Sequence, residues 1–157
     1  SQRHKHLQLA PWPWRDAAGG QDDGTAGAPV EEAMLAGLGD APQVRDWPFV
    51  HAAMRLPEAN TAGTHPTLHA EYWALLRVLG LDRVDAAGML PAYNWLATRR
   101  WMAVVPRSQE AAEGVQVNGL GFAGSLLVRT PALLDHVRMV GPLHILQAVS
   151  RSEIALF

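Results

Sequence analysis

No cysteine occurs in the 157 residues. Disulfides and thiolate metal sites are therefore excluded. Charge of either sign is not in excess: 13 Lys and Arg face 15 Asp and Glu, for a formal net charge of −2. That balance gives no electrostatic case for nucleic acid or an anionic membrane as partner. No apolar run approaches the roughly 18 residues of a membrane-spanning helix, and no secretory signal is visible. A cytoplasmic protein is the expectation. Hydrophobic residues nevertheless make up 48% of the chain, enough for a folded core. One domain covering residues 1–157 is predicted from the length.

The most informative stretch is the first, Ser1-Gln2-Arg3-His4-Lys5-His6-Leu7-Gln8-Leu9-Ala10-Pro11. Alternate side chains of a β-strand point to one face. His4, His6 and Gln8 would line one side, and Lys5, Leu7 and Leu9 the other. Pro11 stops the strand, having no N–H to give the ladder. Two imidazoles and an amide make a poor core but a suitable surface for a phosphate. Imidazole is nucleophilic at neutral pH without a helper base. It can hold a phosphoryl group covalently and split one transfer into two steps.

This stretch resembles the histidine-triad signature in the form found in diadenosine tetraphosphate phosphorylases, or ATP adenylyltransferases. That transferase branch carries His-x-His-x-Gln, here His4-Lys5-His6-Leu7-Gln8. Two further stretches carry the resemblance. One is Tyr93-Asn94-Trp95-Leu96-Ala97-Thr98 with Trp101-Met102-Ala103-Val104-Val105-Pro106-Arg107-Ser108. The other runs from Asn118-Gly119-Leu120-Gly121-Phe122 to Val128.

The resemblance implies the C-terminal part of a longer histidine-triad-like transferase, with the missing N-terminal part as a partner. His6 would be the nucleophile on the α-phosphorus of the dinucleotide. His4 would orient the site and Gln8 would bond the transferred group. Ser1, Gln2, Asn94, Thr98 and Arg107 would bind substrate. Nucleotides and phosphate are the small molecules implied. Mg²⁺ would come with the polyphosphate rather than in a protein cage, and no protein metal site is expected. Two alternatives stay open. One is a related sugar-1-phosphate uridylyltransferase or dinucleotide hydrolase. The other is a non-catalytic nucleotide-binding fragment.

The rest of the chain reads as short elements. Residues 15–29 are polar and Gly-rich, a flexible loop by composition. Asp16, Asp22 and Asp23 lie in it without the spacing of a calcium loop. Glu31 to Leu38 predicts a short helix with acids in its first turn and Gly39 after its end. Trp47 to Leu56 predicts a strand. Thr64 and Pro66 open a helix whose stripe is Leu68, Tyr72, Leu75, Leu76 and Leu79, ended by Gly80. Residues 92–108 predict an antiparallel hairpin turning at Thr98-Arg99-Arg100, with Arg99 and Arg100 as surface charge. Thr130-Pro131 caps a further helix that Gly141-Pro142 breaks, and Leu143 to Val149 predicts one more. His51, His65, His69, His136 and His144 are read as packing or surface residues. The His65/His69 pair has helical spacing for zinc but no partner ligand at a known spacing. Gly119-x-Gly121-x-x-Gly124 lacks a βαβ unit around it, so close packing is expected there rather than a dinucleotide fold. The fold class predicted is α+β: an antiparallel sheet with flanking helices, histidine-triad-like.

Overall fold

A computed structural model describes Leu9 and residues 28–44, 46–57 and 67–152. Ten elements follow in order. They are α1 (Glu31–Gly37), β1 (Ala52–Arg55), α2 (Leu68–Val78), β2 (Tyr93–Ala97), β3 (Trp101–Pro106), β4 (Ala111–Ala112), β5 (Val115–Gln116), α3 (Gly119–Phe122), α4 (Pro131–Val140) and α5 (Pro142–Val149). The architecture is the α+β one expected. Residues 15–27 of the predicted loop lie outside the described residues. Ala28, at its end, is buried.

The sheet is antiparallel, in the order β1-β3-β2. β3 lies in the middle, pairing Ala103 with Ala53 on one side and with Leu96 on the other. Its six residues are all buried. Alternation divides them. Trp101, Ala103 and Val105 face a core built with Met34 and Leu35 of α1, Phe122 of α3, Val137 of α4, and Ile145 and Val149 of α5. Met102 and Val104 face Leu75, Leu76 and Leu79 in the α2 region. A strand buried on both faces reads as a continuous apolar run, which Trp-Met-Ala-Val-Val is.

The helix ends follow their signals. The Thr130 side chain accepts from the Leu133 amide, and Pro131 occupies the first turn of α4. Gly80 takes the left-handed conformation after α2, at φ 64°. The predicted strand over 47–56 narrows to Ala52–Arg55. Pro48 has no N–H, and Trp47, Phe49 and His51 instead stack as an aromatic cluster, with ring centroids 4.8–5.8 Å apart. The β4–β5 hairpin was not anticipated. Its strands of two residues each are too short to show a period. The glycines of the Gly119–Gly124 run do pack closely. A Cβ on Gly124, at φ +101°, would stand 2.7 Å from the Cβ of Pro29, and one on Gly121 would stand 3.0–3.1 Å from Val117 and Leu126 side-chain atoms.

One acid of the first turn of α1 departs from expectation. Glu31 is 1% exposed. The buried indole N–H of Trp101 and the Ala28 backbone act on its carboxyl, though no contact there reaches full hydrogen-bond geometry. Arg100 stands 3.6 Å from Glu31 and 3.7 Å from Glu32, so it is tied to α1 rather than simply solvated. Burial pushes the Glu31 carboxyl above its ordinary range, more than Arg100 pulls it back.

Two outcomes are expected from thermal unfolding. A carboxyl whose folded pKa is raised favours folding at low pH and opposes it once pH passes its unfolded value. Glu31→Gln is therefore expected to stabilise the protein at pH 7, by about 1 kcal/mol, with the gain shrinking as pH falls towards about 4.5 and absent below it. A gain that stayed constant with pH would disprove the assignment. Gly124→Ala, which meets both a left-handed φ and backbone-bound carbons, is expected to cost more than about 2 kcal/mol. Gly121→Ala meets only side-chain atoms and is expected to cost less.

Candidate functional site

The hairpin β2–β3 positions the described candidates. Arg107 N–H donates to Ala92 O at 2.9 Å and Thr98 N–H to Trp101 O at 2.9 Å. With Asn94 opposite Val105, residues 92, 94, 96 and 98 share one face with their partners 107, 105, 103 and 101. Asn94, Thr98 and Arg107 thus lie on the same face, the one towards α1, α3 and α5. They are not equally close. Asn94 and Arg107 are diagonal neighbours, about 7–8 Å apart. Thr98 lies at the turn, four residues from Asn94 and about 20 Å from Arg107 by strand rise.

Asn94 is buried at 8% exposure. Its amide Nδ2 has no hydrogen-bond partner. A buried donor left unpaired costs about 1–3 kcal/mol. Arg107 is held from behind. Ser108 Oγ donates to the carbonyls of Val149 and Ser150, Gln109 Nε2 to Ala148 O, and Arg151 N–H to Pro106 O. These bonds clamp the exit of β3 to the C-terminal end of α5. The Arg107 guanidinium is 3.9 Å from Glu110, at the loose limit of an ion pair. A fixed cation and an unpaired amide on one face can bind neighbouring oxygens of a phosphate.

Thr98 has another occupation. Its Oγ1 accepts from the amides of Arg100 and Trp101 at 3.1 and 3.3 Å. It stabilises the hairpin turn. Ser1, Gln2, His4, His6 and Gln8 lie outside the described residues, as do Thr64, His65 and Pro66. His69 Nε2 accepts from the Trp73 indole at 2.9 Å, a packing role.

His51 is the satisfied core histidine expected. Its Nε2 accepts from the Val44 amide and its Nδ1 donates to Phe49 O, both at 2.7 Å. That pattern needs the neutral ring, and burial lowers its pKa. An open cleft of about 600 Å³ adjoins it, lined among others by Asp40, Gln43, Asp46, Trp47 and Phe49. Among the described residues its charged lining is acidic, which disfavours a polyphosphate there. The sequence reading did not single out this cleft; it forms between loop segments that carry no motif.

The profile of the ATP adenylyltransferase C-terminal domain matches residues 45–152, more than half of the chain. The chain belongs to this family. The matched span contains β1 through α5, and so the hairpin with Asn94 and Arg107. Comparison with curated proteins gives no significant match. Solved structures of yeast Ap4A phosphorylase Apa2 are similar. One aligns with TM-score 0.57 and 24% identity over 72% of this chain and 40% of that one. The AMP complex gives 0.52 and 25% over 63% and 34%. The Ap4A complex gives 0.63 and 20% over 82% and 46%. The chain spans less than half the length of these structures.

The two ends of the hairpin should separate on mutation. Asn94→Ala is expected to change stability by less than about 1 kcal/mol, since its amide Nδ2 has no hydrogen-bond partner. Thr98→Ala is expected to cost about 0.5–1.5 kcal/mol for the lost turn bonds. Thermal unfolding reads both. Equal losses of stability in the two variants would contradict the division.

Proposed function

We propose that the chain supplies the nucleotidyl-transfer part of an enzyme that splits diadenosine tetraphosphate with phosphate into ATP and ADP, and runs the reverse reaction. The observation that carries this reading is positional. A His-x-His-x-Gln row, His4 to Gln8, stands upstream of a segment, residues 45–152, that matches the adenylyltransferase family. The complexes of the yeast relative with AMP and Ap4A support an adenine nucleotide as the ligand class.

In this reading an imidazole nitrogen of His6 attacks the α-phosphorus. The N–P bond forms as the P–O bond to the departing ATP breaks, leaving adenylyl-histidine. An oxygen of inorganic phosphate then attacks the same phosphorus. ADP forms, and the electron pair of the N–P bond returns to His6. His4 orients the imidazole, while Gln8, Ser1 and Gln2 bond the transferred phosphoryl group. Asn94 and Arg107 hold phosphate oxygens. Thr98, though proposed with them from the family resemblance, is the weaker member because its oxygen serves the turn. Gln8 is a neutral amide and a poorer proton shuttle for water than a third histidine. That favours phosphate over water as acceptor. Asn94, Thr98 and Arg107 offer no carboxylate to a metal, so Mg²⁺ is assigned to the polyphosphate, whose charge it neutralises.

Intact-mass spectrometry after incubation with diadenosine tetraphosphate and Mg²⁺, without phosphate, tests the reading. One added AMP is expected on the wild type and none on His6→Ala. Adding phosphate should remove the adduct and release ADP. Discharge by water or a sugar phosphate, but not by phosphate, would replace the acceptor. AMP binding with no adduct on the folded chain would reduce it to a nucleotide-binding fragment.

A further inference from the structure

Arg107 stands one residue past the end of β3, yet its backbone is held on both sides. Towards β2, its N–H donates to Ala92 O at 2.9 Å. On the other side it forms an antiparallel bridge with Ser150, the residue that follows α5. Arg151 N–H donates to Pro106 O at 3.1 Å, and Val50 N–H donates to Arg151 O at 3.3 Å. Residues 150–151 thus lie between the end of β3 and the segment leading into β1. The guanidinium itself has a weaker hold. Its side chain is 21% exposed, and Glu110 Oε1 stands 3.9 Å away. Its aim is therefore set by the backbone that carries it rather than by a close ion pair.

The side chain of Ser108 closes this bridge. Its Oγ is 3.1 Å from Val149 O and 3.0 Å from Ser150 O. A hydroxyl carries one hydrogen, so the two carbonyls share it. Ser108 N–H adds a bond to Val149 O at 2.9 Å, and Gln109 Nε2 one to Ala148 O at 2.9 Å. The last carbonyls of a helix have no partner within it. Ser108 and Gln109 therefore cap α5 from another element, and the same bonds hold the residue next to Arg107. We propose that Ser108 is a positioning residue for Arg107, setting where its guanidinium meets a phosphate oxygen of a bound nucleotide. This rests on the nucleotide reading above, in which Arg107 holds phosphate. The planar fork of a guanidinium binds an oxyanion well only in a narrow geometry, and a tilt of the backbone is magnified at the tip of so long a side chain. Misplacing a substrate-holding group by about 1 Å can cost on the order of 100-fold. Loss of the Ser108 hydroxyl alone leaves the main-chain bonds in place, so its effect is smaller.

Calorimetric titration of the full chain with AMP and with adenosine, beside thermal unfolding, tests the role. Ser108→Ala is expected to weaken AMP binding about three- to tenfold. Adenosine binding should not change, since it brings no phosphate to Arg107. In an Arg107→Ala background, Ser108→Ala should add no further loss of AMP affinity. Ser108→Thr keeps the hydroxyl and should restore the wild-type affinity. Ser150→Ala is the structural control. It removes the bond from Ser150 Oγ to Leu146 O at 2.6 Å, and should lower the melting temperature without moving either affinity. Equal weakening of AMP and adenosine, or losses that add to that of Arg107→Ala, overturn the positioning role. If Ser108→Ala does not fold, Gln109→Ala removes one exposed bond of the same clamp and is read in the same way, AMP against adenosine. A wild type that binds no AMP, or an Arg107→Ala protein that binds it unchanged, overturns the nucleotide reading of Arg107 and the positioning role with it.

Discussion

The structure depends on the burial of β3 from both sides. Each large apolar side chain taken fully from water contributes about 1.5–3 kcal/mol, and Trp101, Met102, Val104 and Val105 are all buried. This strand also supplies the middle ladder of the sheet. A slip of one residue would exchange its two faces. Trp101 and Val105 would then meet α2, and Met102 would face α1. The register is therefore fixed by packing, and with it the positions of Asn94 and Arg107 on the helix-covered face.

Two buried polar groups on that face are of different kinds. Glu31 is a carboxyl that faces a half-exposed guanidinium and the Trp101 indole. Its electrostatic cost is partly offset by Arg100, and what it joins is α1 to the hairpin turn. Asn94 is a neutral amide with a donor that bonds nothing. Packing alone would favour an apolar side chain at its position, between Val105 and the core. Under the proposed reading, the amide is kept for a phosphate oxygen, and the unpaired donor in the free protein is the cost of having it ready.

Legibility followed the range of the forces involved. The hairpin could be read because two apolar runs and a turn lie within seventeen residues. The α4 cap could be read because Thr130 and Pro131 act on the adjacent turn. The α+β class followed from the same local signals. The burial of Glu31 could not be read, since an acid in a first helical turn is ordinary and its burial depends on Trp101, seventy residues away. The strand before Ala52 was overread because Trp47, Phe49 and His51 suit a strand by composition. In the fold, they satisfy one another and the Val44 amide as a loop. The convergence of His136 and His144 on Glu113 needed the tertiary placement of three elements.

The hairpin thereby serves two tasks at its two ends. At the turn, Thr98 holds two amides and Arg100 reaches α1. At the open end, Arg107 is fixed by the Ser108 and Gln109 bonds to α5, with Asn94 diagonal to it. The ends are separated by about 20 Å of strand, beyond the 7–10 Å within which side-chain effects usually couple. Turn residues can therefore be altered for stability without touching the open end. The rigid middle strand keeps that separation constant. In this way, the open end can retain an unpaired amide and a cation while the fold's stability is secured elsewhere.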